Sequence, residues 1–192
     1  SQAKNFPASI KPYADMTLLL AYENTNQPQK ALTLAENLYK NAPADIKYYV
    51  AYAQYRITEK QKGNTLTALT RMLANAGTDE RKIYTLTRLI KFNSNKKTEY
   101  ALNLLELQGS SKEAAAVLAQ IQNPNNNIKT VLGVYYHTIG ENKKALEYLN
   151  TATGRKAQYY KAWCNSRLKQ NDNALNLWGN LAISGNSYAA SS

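Results

Sequence analysis

An all-α stack of antiparallel helix hairpins, about eleven helices long, is the fold class this sequence predicts. Three observations point there. Helical periodicity runs through nearly the whole chain, and no segment alternates apolar and polar residues as a half-buried strand does. Turn-forming residues interrupt it at short intervals. The pair Ala-Leu recurs a few residues after polar turns, at Ala31-Leu32, Ala68-Leu69, Ala145-Leu146 and Ala174-Leu175.

Each element follows from its breakers. A helix over 10–24 closes at the turn Asn26–Pro28, and 29–41 closes at Pro43. The tyrosine-rich helix 45–61 ends before Gly63-Asn64, which opens 64–76. Gly77 separates that from 79–92, where Thr78 is placed to cap the N–H of Arg81. Asn93–Asn95 precede 97–108, and Gly109 precedes 111–122, with Ser110 or Ser111 as its N-cap. The run Asn123–Asn127 is a clear turn before 127–139. Gly140, Gly154 and Asn171 then divide 142–152, 156–169 and 172–183. Large apolar residues follow several Ala-Leu pairs by about one turn, at Met72, Leu149 and Trp178.

The segment VLGVYYHTIGENKKALEYLN, at 131–150, shows why such a pattern makes a hairpin. Two helices pack closely only where the facing residues are small. Gly133 and Ala145 are expected at that crossing, with Leu132, Tyr136 and Leu149 filling the grooves around it. Gly140 supplies the left-handed residue that ends the first helix.

This pattern resembles the tetratricopeptide repeat, a unit of about 34 residues folded as two antiparallel helices. Leu132, Gly133, Tyr136, Gly140, Ala145 and Leu149 carry the resemblance, as do Leu18, Tyr22, Ala31, Leu38 and Pro43. Leu19 stands where a small residue is expected. The best-matching stretches are 10–43, 126–154 and 156–183. In 79–122 Ala101 and Ala114 compete for the small position, and an odd number of helices leaves one without a hairpin partner. A register of 156–169 that buries Tyr160, Trp163 and Cys164 is expected, because the alternative buries Lys161 and Asn165. The resemblance implies a single right-handed superhelical solenoid over 1–192.

Composition bounds the rest. The chain has 192 residues, a net charge of +11 and one cysteine, Cys164, so no intrachain disulfide forms. The charge implies solubility or attraction to an anionic partner. The basic residues are scattered, the densest pairs being Arg81-Lys82, Lys96-Lys97, Lys143-Lys144 and Arg155-Lys156. No apolar run is long enough to span a membrane. Both ends read as cut from a longer or processed protein.

Reaction chemistry finds little support. His137 is the single histidine, so paired-histidine metal sites are excluded, and no cofactor motif occurs. Cys164 and His137 belong to successive repeats, but a nucleophile pair also needs contact and an orienting third group. No catalytic residue and no metal ligand is assigned. The 15 tyrosines read first as repeat filling, second as a ligand surface.

The resemblance places a binding groove on the concave face, lined by the first helix of each repeat. By helical phase that face presents Lys47, Val50, Gln54 and Ile57, then Asn127, Thr130, Val134 and His137, then Gln158, Lys161 and Asn165. Lys161 and Asn165 also resemble the start of the clamp that some family members use on a chaperone's carboxylate tail. The expected function is a non-catalytic scaffold for a protein or peptide partner. The alternatives are a Tyr/Lys surface for an acidic glycan or nucleic acid, and the superhelical arm of an enzyme whose catalytic domain lies elsewhere. Composition weakly favours a bacterial envelope, secretion or polysaccharide-export setting, in the periplasm or cell envelope rather than the cytoplasm.

Overall fold

The computed structural model describes residues 7–92 and 94–189, with side chains described as far as Ile183. Among them are eleven helices and no strand: α1 (Lys11–Asn24), α2 (Pro28–Asn41), α3 (Ala44–Lys60), α4 (Leu66–Ala74), α5 (Asp79–Leu89), α6 (Lys97–Gln108), α7 (Lys112–Ala119), α8 (Asn126–Thr138), α9 (Asn142–Leu149), α10 (Arg155–Arg167) and α11 (Asn171–Ala189). All eleven expected helices are present. Thr78 and Ser111 cap α5 and α7 by accepting from the N–H groups of Arg81 and Ala114. No helix among the described residues is long and apolar enough to cross a membrane.

The chain forms two compact units, Ser1–Phe92 and Asn93–Ser192. The division falls inside 79–122, the stretch whose repeat phase the sequence leaves open.

In the first unit α1 pairs with α2 and α3 with α4, and α3 also packs on α1 and α2. The helix left over is α5, which packs on α4. Leu19, the large residue at an expected small position, is fully buried in one cluster with Ala31 and Ala35 of α2. Two alanines there make room for its extra volume.

In the second unit α6 pairs with α7, α8 with α9, and α10 with α11, while α8 also packs on α6 and α7, and α10 on α8 and α9. Ala101 and Ala114, competitors in the sequence, are both fully buried, one on α6 and one on α7. The α8–α9 crossing is as close as its glycine implies. A Cβ built on Gly133 would lie 2.4 Å from Cγ of Leu149. Leu132, Ala145 and Leu149 are fully buried beside it, and Tyr136 stacks on Tyr148 with ring centroids 5.6 Å apart.

Four hairpin turns share one hydrogen-bond pattern. After α8, Gly140 N–H donates to His137 C=O and Glu141 N–H to Tyr136 C=O, the paired bonds of a Schellman turn. The same pair closes α1 at Asn26, α3 at Lys62 and α10 at Lys169. Their φ values are +55°, +57° and +61°, against +84° for Gly140. The sequence points to Gly63 as the breaker after α3, yet Lys62 carries the left-handed conformation. A lysine pays roughly 1–2 kcal/mol in that region, and a glycine adds about 0.5–1 kcal/mol of unfolded-chain entropy. Lys62→Gly and Lys169→Gly are therefore each expected to stabilise by about 0.5–1 kcal/mol. The check is a rise in urea midpoint at constant slope; an unchanged midpoint would show that neither lysine is strained in solution.

The expected register of α10 is corrected. Cys164 is buried and Tyr160 half-buried, but Trp163 is 36% exposed and Asn165 only 4%. Lys161 is half-buried as well. The reason is hairpin geometry. The Lys169 turn matches the Gly140 turn, and from it Ala162 aligns with Gly133, Ala174 with Ala145 and Trp178 with Leu149. Ala162 is the small residue that a close crossing requires, and it is fully buried. That choice turns Lys161 and Asn165 into the places held in α8 by Leu132 and Tyr136.

Candidate functional site

Of the seven sequence-predicted residues, Gln54, Thr130 and Asn165 are buried within their own units, and Lys47, His137, Gln158 and Lys161 are half-buried. In the first unit, Lys47 of α3 reaches over the Tyr39 ring of α2 at 5.7 Å. Gln54 is 6% exposed and spans two neighbours: it donates to Glu36 of α2 at 3.3 Å and accepts from Arg71 of α4 at 3.1 Å. Val50 and Ile57, expected beside them, are buried core. In the second unit, Thr130 is 7% exposed, and its hydroxyl donates back to Asn126 C=O at 2.8 Å. Gln54, Thr130 and Asn165 are thus packing residues in large part. Their polarity is satisfied inside the fold, so phase counting from one helix misplaces them.

Arg71 and Glu36 hold this arrangement in the first unit. The guanidinium grips the carboxylate through two bonds, of 2.6 and 2.9 Å, and stacks over Tyr39 at 4.6 Å. The Arg71 hydrogen bond holds the Glu36 carboxyl below its ordinary range.

The tyrosines of α3 form a ladder joined by arginines. Tyr48, Tyr52 and Tyr55 follow one another with centroids 6.4 Å apart at each step, and Tyr84 of α5 meets Tyr52 edge-on. Arg81 lies over both Tyr48 and Tyr49, at 4.6 and 4.8 Å, and donates to the Tyr49 hydroxyl at 2.6 Å. Arg88 sits 3.4 Å over Tyr84 and donates to the Tyr55 hydroxyl at 3.1 Å. Arg56 covers Tyr52 and is paired with Glu23 at 2.6 Å. Burial, followed by a hydrogen bond with Tyr52, raises the Tyr84 phenol. Burial first, then the Glu59 contact, raises Tyr55. Among the described residues, neither Arg81 nor Arg88 has a carboxylate partner. Both belong to α5, whereas Tyr48, Tyr49 and Tyr55 belong to α3, and the α3 tyrosine run was the sequence signal for them.

His137 and Cys164 do come into contact. The His137 Nδ1 is 3.0 Å from Asn142 Oδ1 and 3.5 Å from the Cys164 sulfur, and Tyr160 packs edge-on against the imidazole. Cys164 is fully buried, and burial pushes its thiol up to about 11. Burial and a raised thiol are the opposite of the exposed, low-pKa surroundings that a nucleophilic cysteine needs.

Around α10 two clefts open. Gln158 lines one of about 370 Å³ with Arg155, Asn180 and Leu177. Lys161 and Asn165 form the floor of a larger one, about 530 Å³, between α9 and α11. Leu146 and Asn150 line it from α9, and Asn173, Asn176 and Leu177 from α11, with Gln170 at the turn. Asn165 also donates to Lys161 C=O at 2.8 Å. The pair that resembles a carboxylate clamp therefore faces the second helices of two hairpins.

No protein-family model and no curated protein matches this chain in sequence. Several solved structures do match in shape. One is "MamA 41-end from Desulfovibrio magneticus RS-1", 16% identical, with 92% of this chain and 96% of that chain covered and a TM-score of 0.36. A MamA RS-1 double mutant gives 15% identity, coverage of 93% and 97%, and the same TM-score. A MamA AMB-1 structure gives 16%, coverage of 88% and 95%, and a TM-score of 0.31. At such TM-scores the likeness carries no argument, and the fold rests on the helices described above.

Proposed function

We propose that this chain is a tetratricopeptide-like, non-catalytic scaffold that binds a protein partner. The observation that carries this is the outer edge of the tyrosine–arginine ladder of α3 and α5, where Tyr49 is exposed and Tyr52, Arg81, Tyr84 and Arg88 are half-buried over the buried Tyr48 and Tyr55. Tyrosine and arginine are the residue types on which protein interfaces concentrate their binding energy. Here they are pre-ordered by stacking, which lowers the entropic cost of binding. Arg81 and Arg88 keep donors without a carboxylate, which favours an acidic partner surface, and the net charge of +11 favours the same. The buried Cys164 thiol supports the non-catalytic part.

The test places a photo-crosslinker at Tyr49, 47% exposed, in the producing cell. Discrete protein adducts that Arg81→Glu with Arg88→Glu abolishes are expected. Adducts unchanged by that double substitution would overturn the reading.

The same two arginines support a second reading, an anionic polymer laid along the ladder. Retention on an immobilised polyanion separates the two. A steep salt dependence that persists past physiological ionic strength favours the polymer, and release at low salt favours the protein partner. The bacterial envelope setting is supported by composition alone.

A further inference from the structure

The helices α1, α8 and α10 end on the same turn, at Asn26, Gly140 and Lys169. Counting back from that turn brings corresponding residues into register. In α8 one stripe, Ile128, Val131 and Tyr135, is buried beside Asn127, which donates to Glu106 of α6. In α10 the same stripe is Ala157, Tyr160 and Cys164, and it lies against α8, with Tyr160 and Cys164 both meeting His137. Each stripe docks its helix on the hairpin before it. In α1 the stripe is Ala14, Thr17 and Ala21, with Ile10 one turn earlier, and it stands open. Ile10 is 49% exposed, Thr17 and Ala21 are exposed, and Ala14 is half-buried.

The complementary vacancy lies on α10–α11. The hairpin α8–α9 receives α10, and its Thr130 and Leu149 are buried. The corresponding residues of α10–α11 are Tyr159, 46% exposed, and Trp178, half-buried. Leu175 on the same helix as Trp178 is 63% exposed. Trp163 joins the two rings, edge-on to Tyr159 at 6.4 Å and to Trp178 at 5.5 Å, so three rings run from α10 across to α11. The outer face of a terminal repeat is ordinarily polar. Aromatic rings are what buried interfaces favour.

We propose that the α10–α11 face of one copy of this chain binds α1 of a second copy, head to tail. Shape selects α1. A face built from large rings accepts a helix closely only where that helix is small. Ala14, Thr17 and Ala21 are small, uncharged and aligned on one side of α1, as Ala157 and Cys164 are in the contact that α10 already makes. Ile10 and Leu175 add one large aliphatic side chain from each partner. None of these residues is charged, so closing the contact strips no ion of water. The contact is heterologous: each copy keeps one α1 and one α10–α11 face, and copies add in series. One helix on one hairpin is a small interface, so association is weak and rises with concentration. The proposal is independent of the ladder, which belongs to α3 and α5.

The test follows the full chain by sedimentation from micromolar to millimolar concentration. The average mass is expected to climb past that of a dimer. Tryptophan emission should shift to the blue with it, because Trp163 and Trp178 are the only two tryptophans of the chain. Thr17→Glu with Ala21→Glu charges the α1 stripe, and Leu175→Glu charges the accepting face. All three sites are exposed, so Tm should hold. Each variant alone should raise the dissociation constant by about tenfold or more. Mixed, the two variants should pair with the affinity of the unaltered chain and stop at the dimer, since one keeps its α1 and the other its accepting face.

A chain that stays monomeric throughout would overturn the proposal and assign the face to a different protein. Association that both variants retain would overturn it too, as would association removed instead by Arg81→Glu with Arg88→Glu. Variants that fail to pair when mixed, while the unaltered chain associates, would rule out the head-to-tail contact.

Discussion

Gly133→Leu is expected to lower stability by about 1–3 kcal/mol, the range for overpacking a filled crossing. Even the first carbon of that side chain has no room: a Cβ would sit 2.4 and 2.6 Å from two carbons of Leu149. The nearest atom is the branch carbon, so Leu149 cannot clear the site by turning its end groups. Gly133→Ala tests this more finely. Alanine in a helix interior gains about 0.5–1 kcal/mol over glycine, so a loose crossing would make the substitution stabilising. Destabilisation by even about 0.5 kcal/mol therefore means that packing outweighs propensity. Leu149→Ala supplies the second half of a cycle. Alone it costs about 2–5 kcal/mol through the cavity it leaves. Combined with Gly133→Ala it should cost less than the two changes added, because the new methyl occupies part of that cavity. Additive losses would place the two residues apart and break the hairpin register.

The same crossing explains how much was legible beforehand. Gly133 and Ala145 announce a close approach because nothing larger fits, and Gly140 announces a left-handed turn because little else adopts one cheaply. Where the physical requirement has one residue type as its natural answer, the sequence shows it. Lys62 and Lys169 meet the same turn requirement with a residue that hides it, and the hydrogen-bond pattern alone reveals them. The α10 register was misread for a related reason. Side-chain polarity placed Trp163 inside and Asn165 outside, while the crossing demanded a small residue, which Ala162 supplies. The signal was present in the constant offset between α8–α9 and α10–α11. Polarity is a preference worth a few kcal/mol per residue, whereas two helix backbones cannot pass through a side chain.

The candidate site was less legible than the fold. Gln54 carries an expected surface polarity, yet Glu36 and Arg71 come from the two helices flanking α3 and satisfy it in the interior. No single-helix projection contains that information. The tyrosine run of α3 was visible, but two of its three arginines, Arg81 and Arg88, come from α5, the helix of the first unit without a hairpin partner among the described residues. A helix freed from closing its own hairpin can spend its polar face on covering a neighbour.

Cys164 offers the sharpest test of the non-catalytic reading. At pH 8 a native-state alkylation rate limited by opening of the fold is expected, orders of magnitude below that of the unfolded chain. The cause is burial, which lifts the thiol from 9.0 to about 11 and closes it to reagent. The same shift sets a pH dependence. Between about pH 9 and 11 the unfolded chain gives up this proton and the folded chain keeps it. The folded state then binds more protons, so stability is fully present below pH 9 and falls as pH rises through that window. A rise from 9.0 to about 11 corresponds to about 2–3 kcal/mol at the upper end of that window. Cys164→Ala should flatten the fall, leaving the part due to Tyr48, Tyr55, Tyr135 and Tyr148, whose phenols burial also raises. Rapid alkylation of the native chain, with a pH midpoint well below 9, would instead mean that His137 holds an accessible thiolate. The contact at 3.5 Å would then be a working pair, and the scaffold reading would have to yield to a thiol-based activity.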